Sequence, residues 1–101
     1  MKKTIITSLF QDEAITEITN LLNKIKISLK NKKKISNLNG TWDKTNPNLV
    51  IIKYKNKDKL KKISITITDF EITIESKETE DVTNVEITIK KHLNKVQKYF
   101  V

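Results

Sequence analysis

The stretch ISITITDFEITI, residues 63–74, decides the fold, because apolar and polar side chains alternate along it and the alternation changes parity once. Apolar residues occupy the odd positions up to Ile67 and the even positions from Phe70 onward. Such alternation is typical of strands with one buried face, and a change of parity indicates a two-residue turn between them. The pattern predicts a β-hairpin that turns at Thr68-Asp69 and pairs Ile67 with Phe70.

A third strand, over residues 49–55, extends this hairpin into an antiparallel meander. If residues 57–60 form a four-residue loop, Tyr54 lies opposite Ile63, and the apolar side chains of all three strands share one face. The other face is polar, which is the pattern of a sheet covered on one side. The predicted buried face comprises Val50, Ile52, Tyr54, Ile63, Ile65, Ile67, Phe70, Ile72 and Ile74.

Two amphipathic helices flank the meander. Residues 12–29 carry apolar side chains at the three- and four-residue spacing of one helix face. Residues 82–99 carry a second such stripe, and Thr83 with Glu86 fits a capping box at its start. The alternative for residues 85–89 is a fourth strand. We prefer the helix, because the apolar spacing continues well beyond the length of a typical strand.

Two segments have weaker patterns. Residues 4–9 are rich in β-branched side chains and predict a strand, although Ser8 and Gln11 could form a capping box that starts the first helix early. The segment 31–48 predicts a long connection, with a short strand over residues 35–42 as the alternative.

These elements predict a single α+β domain over residues 1–101. It is a small two-layer sandwich in which an antiparallel sheet of three to four strands carries two helices on one face. The predicted order is an optional first strand, a helix, three strands and a helix.

The order of helix, three strands and helix over residues 12–100 resembles the topology of the double-stranded-RNA-binding domain. The Gly-Pro-x-His loop of that family corresponds here to residues 57–60, which read Lys-Asp-Lys-Leu. The Lys-rich start of its last helix corresponds to residues 78–81, which are acidic apart from Thr79. The resemblance therefore implies a fold without those RNA contacts.

Composition excludes several kinds of site. The chain has no Cys and one His, His92, so a tetrahedral zinc or copper site lacks ligands. Its one Gly excludes glycine-rich phosphate loops. The clustered acids we interpret as a solvated edge that supplies charge to the start of the last helix. They are Asp69, Glu71, Glu75, Glu78, Glu80 and Asp81. We therefore expect no enzyme, no cofactor and no metal.

The absence of Cys and of a signal-peptide pattern after Met1 predicts a cytoplasmic protein, and no apolar run is long enough to span a bilayer. We therefore expect no membrane partner.

Charge is the remaining functional signal. The chain has a formal net charge of +8, and all 20 of its basic residues are Lys. Codon bias in an A/T-rich genome would enrich Lys without selection for binding, so the excess has two interpretations. The lysines concentrate at residues 30–34, 53–62 and 90–98. Our candidate binding residues are Lys32, Lys33, Lys34, Lys53, Lys55, Lys57, Lys59 and Lys62.

These observations favour a non-catalytic interaction protein that docks onto another protein or a nucleoprotein complex, such as a small inhibitor or accessory factor of a bacterium, phage or plasmid. The alternative is a charge-driven, sequence-nonspecific nucleic-acid-binding protein. The lack of Arg, the side chain best suited to bidentate contacts with phosphate and guanine, disfavours sequence-specific DNA recognition.

Overall fold

A computed structural model describes residues 1–32 and 34–97, and within these ranges the chain forms an antiparallel sheet of five strands with two helices. In chain order the elements are β1 (Lys2–Ile6), α1 (Gln11–Lys32), β2 (Ser36–Trp42), β3 (Leu49–Asn56), β4 (Lys59–Thr68), β5 (Glu71–Ser76) and α2 (Thr79–Gln97). The strand order across the sheet is β1-β5-β4-β3-β2. The first strand therefore pairs with the last, and the other four form a meander.

The α+β class is confirmed, but the predicted sheet of three to four strands and its order are wrong. Both weakly patterned segments contribute strands at the two edges of the sheet, although β1 covers Lys2–Ile6 rather than the predicted residues 4–9. Within β2 only Gly40 is buried, so the segment shows little of the alternation that marks a half-buried strand. Gly40 packs beneath α1, where a Cβ atom would lie 3.1 Å from Cε of Lys26.

The predicted registers are wrong by two residues on both sides of β4. Ile67 pairs with Ile72 rather than with Phe70, and Tyr54 pairs with Lys61 rather than with Ile63. A two-residue turn at Lys57-Asp58 connects β3 to β4, and a second one at Asp69-Phe70 connects β4 to β5. Positive φ angles at non-glycine residues make both turns possible. These angles are 52° at Lys57, 65° at Asp58 and 67° at Phe70.

The buried face nevertheless survives this correction, because a shift of two residues leaves every side chain on its original face. Eight of the nine predicted side chains are buried, and Phe70 is the exception at 43% exposed. Phe70 lies in the turn, where its ring packs against Phe10 at a centroid distance of 5.1 Å.

Both helices pack on the apolar face of the sheet and run antiparallel to each other. α1 contacts β2 and β4, whereas α2 contacts β5 and β1. His92 near the end of α2 bonds Glu17 near the start of α1, and Asn84 near the start of α2 bonds Lys32 at the end of α1. The β3–β4 turn lies at the end of the molecule where α1 finishes and α2 begins.

The last helix is confirmed over its described part, and the fourth-strand alternative for residues 85–89 is wrong. The helix begins three residues earlier than predicted, at Thr79, and positions 98 and 99 of the predicted helix lie outside the described residues. The predicted capping box is wrong, because the Thr83 hydroxyl donates to the Thr79 carbonyl within the helix. The backbone N–H of Glu78, just before the helix, instead donates to Oγ of Ser76 at 3.2 Å.

The start of α1 is capped by a side chain from the distant β4–β5 turn rather than by Ser8. The backbone N–H of Gln11 donates to Oδ1 of Asp69 at 2.7 Å, and the Gln11 side chain donates to the carbonyl of Ile67 at 2.9 Å. Backbone bonds from Thr7 to Phe70 and from Phe70 to Leu9 hold the same junction. This turn therefore fixes where the helix begins.

Replacing Asp69 by Ala is expected to lower the free energy of unfolding by about 0.5 to 2 kcal/mol, because an N–H at the helix start loses its acceptor. Asp69→Asn keeps an acceptor oxygen in the same place and is the matched control, for which we expect the smaller loss. Urea unfolding followed by circular dichroism measures both variants. Equal losses would show that the contact with the N–H of Gln11 does not stabilise the helix.

Candidate binding surface

Five of the candidate lysines cluster on the β3–β4 hairpin, and three of them, Lys53, Lys55 and Lys62, lie on its solvent-facing side. Lys53 lies directly opposite Lys62 in the antiparallel register, and Lys55 lies opposite Leu60. Lys57 in the turn and Lys59 at the start of β4 flank Asp58, and Lys59, opposite Asn56, has the parity of the helix-covered side. We call this surface the hairpin patch. Its lysines, all exposed, are Lys53, Lys55, Lys57, Lys59 and Lys62.

The hairpin patch carries uncompensated positive charge. Among residues 1–32 and 34–97, no carboxylate lies within 4.0 Å of any of its five ammonium groups. Other lysines do find partners, since Lys61 pairs with Glu78 at 2.5 Å and Lys90 with Glu86 at 3.3 Å. Asp58 at the tip of the turn sets one negative charge against the five lysines, so the patch stays strongly basic.

The lysines after α1 separate into different surroundings. Lys34 lies two residues before Ser36, whose register partner is Lys55, so it stands at the same end of the sheet as the hairpin patch. Lys33 lies outside the described residues. Lys32 is not part of the patch, because its Nζ donates to Oδ1 of Asn84 on the helical side of the molecule at 2.9 Å.

Sequence reasoning missed an apolar side chain within the basic surface. The sequence pattern assigns Leu60 to a loop, but it stands on the outer face of β4 beside Lys55 and is 67% exposed. Leu60 also lines an open cleft of about 650 Å³, whose charged lining includes Lys62 and Lys77 as well as Glu75 and Glu78. The sequence does offer a clue to this exposure, because Leu60 is an apolar residue among lysines. Such a residue either packs in the core or is available to a partner.

The acidic cluster is only partly the solvated edge that the sequence predicts. Glu71 and Glu75 are exposed on the outer face of β5, as expected. Asp81, in contrast, is fully buried and accepts a hydrogen bond from the hydroxyl of Tyr54 at the sheet–α2 interface. Burial, together with this bond to Asp81, raises the pKa of Tyr54 above its usual range.

His92 is half-buried, and its Nε2 lies 2.6 Å from Oε2 of Glu17. This contact joins the two helices. The described part of the chain contains no group of three or more potential metal-ligating side chains. Neither helix, as far as the structure describes it, is long and apolar enough to cross a membrane.

Comparison with protein-family models, curated proteins and solved structures finds no match for this chain. The resemblance to the double-stranded-RNA-binding domain thus rests on element order. That order differs, because four strands rather than three separate the helices within the described residues.

Proposed function

We propose that this chain is a non-catalytic interaction protein that docks through the hairpin patch and Leu60 onto an acidic surface of a protein or nucleoprotein partner, in the manner of a small inhibitor or accessory factor. The observation that carries the proposal is the convergence of five exposed lysines, none of them paired to a described carboxylate, around an exposed apolar side chain. An acidic partner would supply the missing counter-charges, and complementary charge of this kind steers association and fixes orientation.

The hairpin patch also lowers the stability of the chain that carries it. Lys53 and Lys62 are direct cross-strand neighbours, and like charges in that position destabilise a sheet. At the turn, Lys57 adopts a φ of 52°, which Gly or Asn would tolerate more readily than Lys. Genome-wide codon bias explains many lysines, but it does not explain why they occupy positions with local costs. Selection for binding does.

A protein surface fits the patch better than bare nucleic acid does. Proteins that bind single strands commonly stack bases on aromatic side chains, whereas the aromatic ring of this hairpin, Tyr54, is buried on the opposite face. Leu60 and the adjoining cleft instead offer an apolar side chain with charged side chains around it, and an apolar core with a polar rim is the usual anatomy of a protein interface.

The proposal is tested with two quadruple variants of equal charge change. The patch variant changes Lys55, Lys57, Lys59 and Lys62 to Gln. The control variant changes Lys2, Lys3, Lys44 and Lys90 to Gln, all of which are exposed and outside the patch. Each protein is used to capture partners from a nuclease-treated lysate of the native host, followed by mass spectrometry. We expect the wild type and the control to retain the same defined protein, and the patch variant to lose it.

The nucleic-acid alternative is measured in parallel, by titrating all three proteins with an arbitrary duplex across a salt series. For a protein-docking surface we expect binding in the nonspecific range of about 10⁻⁴ to 10⁻⁶ M at physiological salt, weakened similarly by both variants. The nucleic-acid function would be favoured if the wild type bound the duplex much more tightly and only the patch variant lost this binding. The binding constant of the patch variant would then also depend less steeply on salt concentration. Identical behaviour of both variants in both assays would remove the patch as a functional site.

A further inference from the structure

A second basic surface lies on the opposite side of the molecule, in a groove of about 330 Å³ between α1 and α2. We call it the helix groove. Side chains one or two turns apart on each helix line it, and no Asp or Glu of the described residues is among them. The charged and polar groups that matter here are Lys24 and Lys32 from α1, and Asn84, Lys91, His92 and Lys95 from α2.

Asn84 makes the groove more than a cluster of surface lysines. The residue is 7% exposed, and its Oδ1 accepts a hydrogen bond from Nζ of Lys32 at 2.9 Å. This contact defines the orientation of the amide, because only the oxygen can face an ammonium group. The Nδ2 group is consequently a buried donor that has no hydrogen-bond partner among the described residues. An unsatisfied buried donor is costly, and a bound acceptor would remove that cost.

The groove has the charge of an anion site. Its four lysines are held on two antiparallel helices that pack against each other, so their positive charges face a common space. Glu17 contacts the groove residue His92, whose Nε2 lies 2.6 Å from its Oε2. Two linked phosphoryl groups, which carry about three negative charges near neutral pH, would match this set of cations and supply several acceptor oxygens.

We propose that the helix groove binds a diphosphate group, with its lysines neutralising the charge and Nδ2 of Asn84 donating a hydrogen bond to a phosphoryl oxygen. The volume of the groove suits a small molecule rather than an extended chain. Inorganic pyrophosphate and the diphosphate of a nucleotide share this chemistry. The site shares no residue with the hairpin patch, whose Lys53, Lys55 and Lys62 lie on the other face of the sheet.

Isothermal titration of the full chain with inorganic pyrophosphate, and separately with ADP, both without divalent metal, tests the proposal. We expect pyrophosphate to bind the wild type with a Kd of about 10⁻⁶ to 10⁻⁴ M. Tighter binding of ADP would identify a nucleotide as the source of the diphosphate, and equal or weaker binding would identify the inorganic anion. A Kd weaker than about 10⁻² M for both would overturn the site.

Two variants place the binding in the groove. Changing Lys91 and Lys95 together to Gln is expected to weaken pyrophosphate binding about tenfold or more, whereas the same change at Lys57 and Lys59 of the hairpin patch alters it less than about twofold. Equal effects of the two pairs would show nonspecific attraction and overturn the proposal.

Asn84→Asp tests the hydrogen bond, because it keeps the shape and the contact with Lys32 but replaces the donor by an acceptor. We expect this variant to lose detectable binding while keeping the far-ultraviolet circular dichroism of the wild type. Backbone amide shifts in a two-dimensional NMR titration of the wild type provide a readout without any substitution. Shifts confined to the groove support the proposal, and shifts confined to the hairpin patch contradict it.

Discussion

Truncation of Ile65 to Ala is expected to lower the free energy of unfolding by about 2 to 5 kcal/mol, more than any other substitution proposed for this chain. Ile65 is fully buried in the central strand β4, between its register partners Val50 and Ile74. The substitution removes apolar contacts and leaves a cavity that strands paired on both sides cannot readily close. Denaturant unfolding of the wild type and the variant measures the loss. We expect the free energy of unfolding to fall with denaturant concentration at the same slope in both proteins.

The neighbouring residue provides the matched control. Thr66 belongs to the same strand but faces the outer side of the sheet, where it pairs with Thr73. Thr66→Ala is therefore expected to cost less than about 1 kcal/mol. If the two variants lost equal stability, the division of β4 into a buried and a solvent-facing side would be wrong.

The contrast between these neighbours also shows how much of the fold was predictable. Alternation with a period of two assigns each side chain to a face, and that assignment survives any error of two residues in register. The register itself depends on where the chain turns. Here the turns use positive φ at Lys57, Asp58 and Phe70, residues whose types do not mark such turns as Gly would. Sequence reasoning therefore identified the buried face of the meander except for Phe70, but it misplaced both turns.

The edge strands were weakly predicted for a different reason. β1 is held by pairing with β5, about 70 residues further along the chain, and the register from Lys2 to Ile6 cannot be read from local periodicity. β2 buries little more than Gly40. A strand at an edge gains its place from a neighbour's hydrogen bonds, so its own pattern of side chains is a poor guide.

The two candidate sites also differ in whether local sequence patterns could predict them. The five lysines of the hairpin patch were predicted together because alternation puts Lys53, Lys55 and Lys62 on one face of adjoining strands. The helix groove was missed because it requires the packing of two helices. Spacing alone does not show that Lys32 of α1 meets Asn84 of α2, 52 positions away.

The buried contact between Tyr54 and Asp81 leads to the second large effect. The sequence pattern assigns Asp81 to a solvated acidic edge, yet it lies at the interface of α2 with the sheet and accepts a hydrogen bond from the hydroxyl of Tyr54. Tyr54→Phe keeps the ring and removes this donor. We expect it to lower the free energy of unfolding by about 1 to 3 kcal/mol near pH 7, because a buried acceptor loses a hydrogen bond.

The same contact makes the loss depend on pH, in a direction that follows from the raised pKa of Tyr54. In the unfolded chain the phenol ionises near its usual pKa of about 10, whereas in the folded chain it stays neutral to higher pH. The contribution of Tyr54 is therefore fully present below about pH 10, and above that it decreases by about 1.4 kcal/mol per pH unit. The phenylalanine ring of the variant has no proton to lose.

Urea unfolding of the wild type and of Tyr54→Phe at pH 8, 10 and 11 measures this dependence. The two proteins share every other ionisable group, so the difference in unfolding free energy between them isolates Tyr54. We expect this difference to be constant up to about pH 10 and then to narrow. A difference that stayed constant through pH 11 would mean that Tyr54 ionises alike in the folded and unfolded chains, and that its hydroxyl is not held in a buried hydrogen bond.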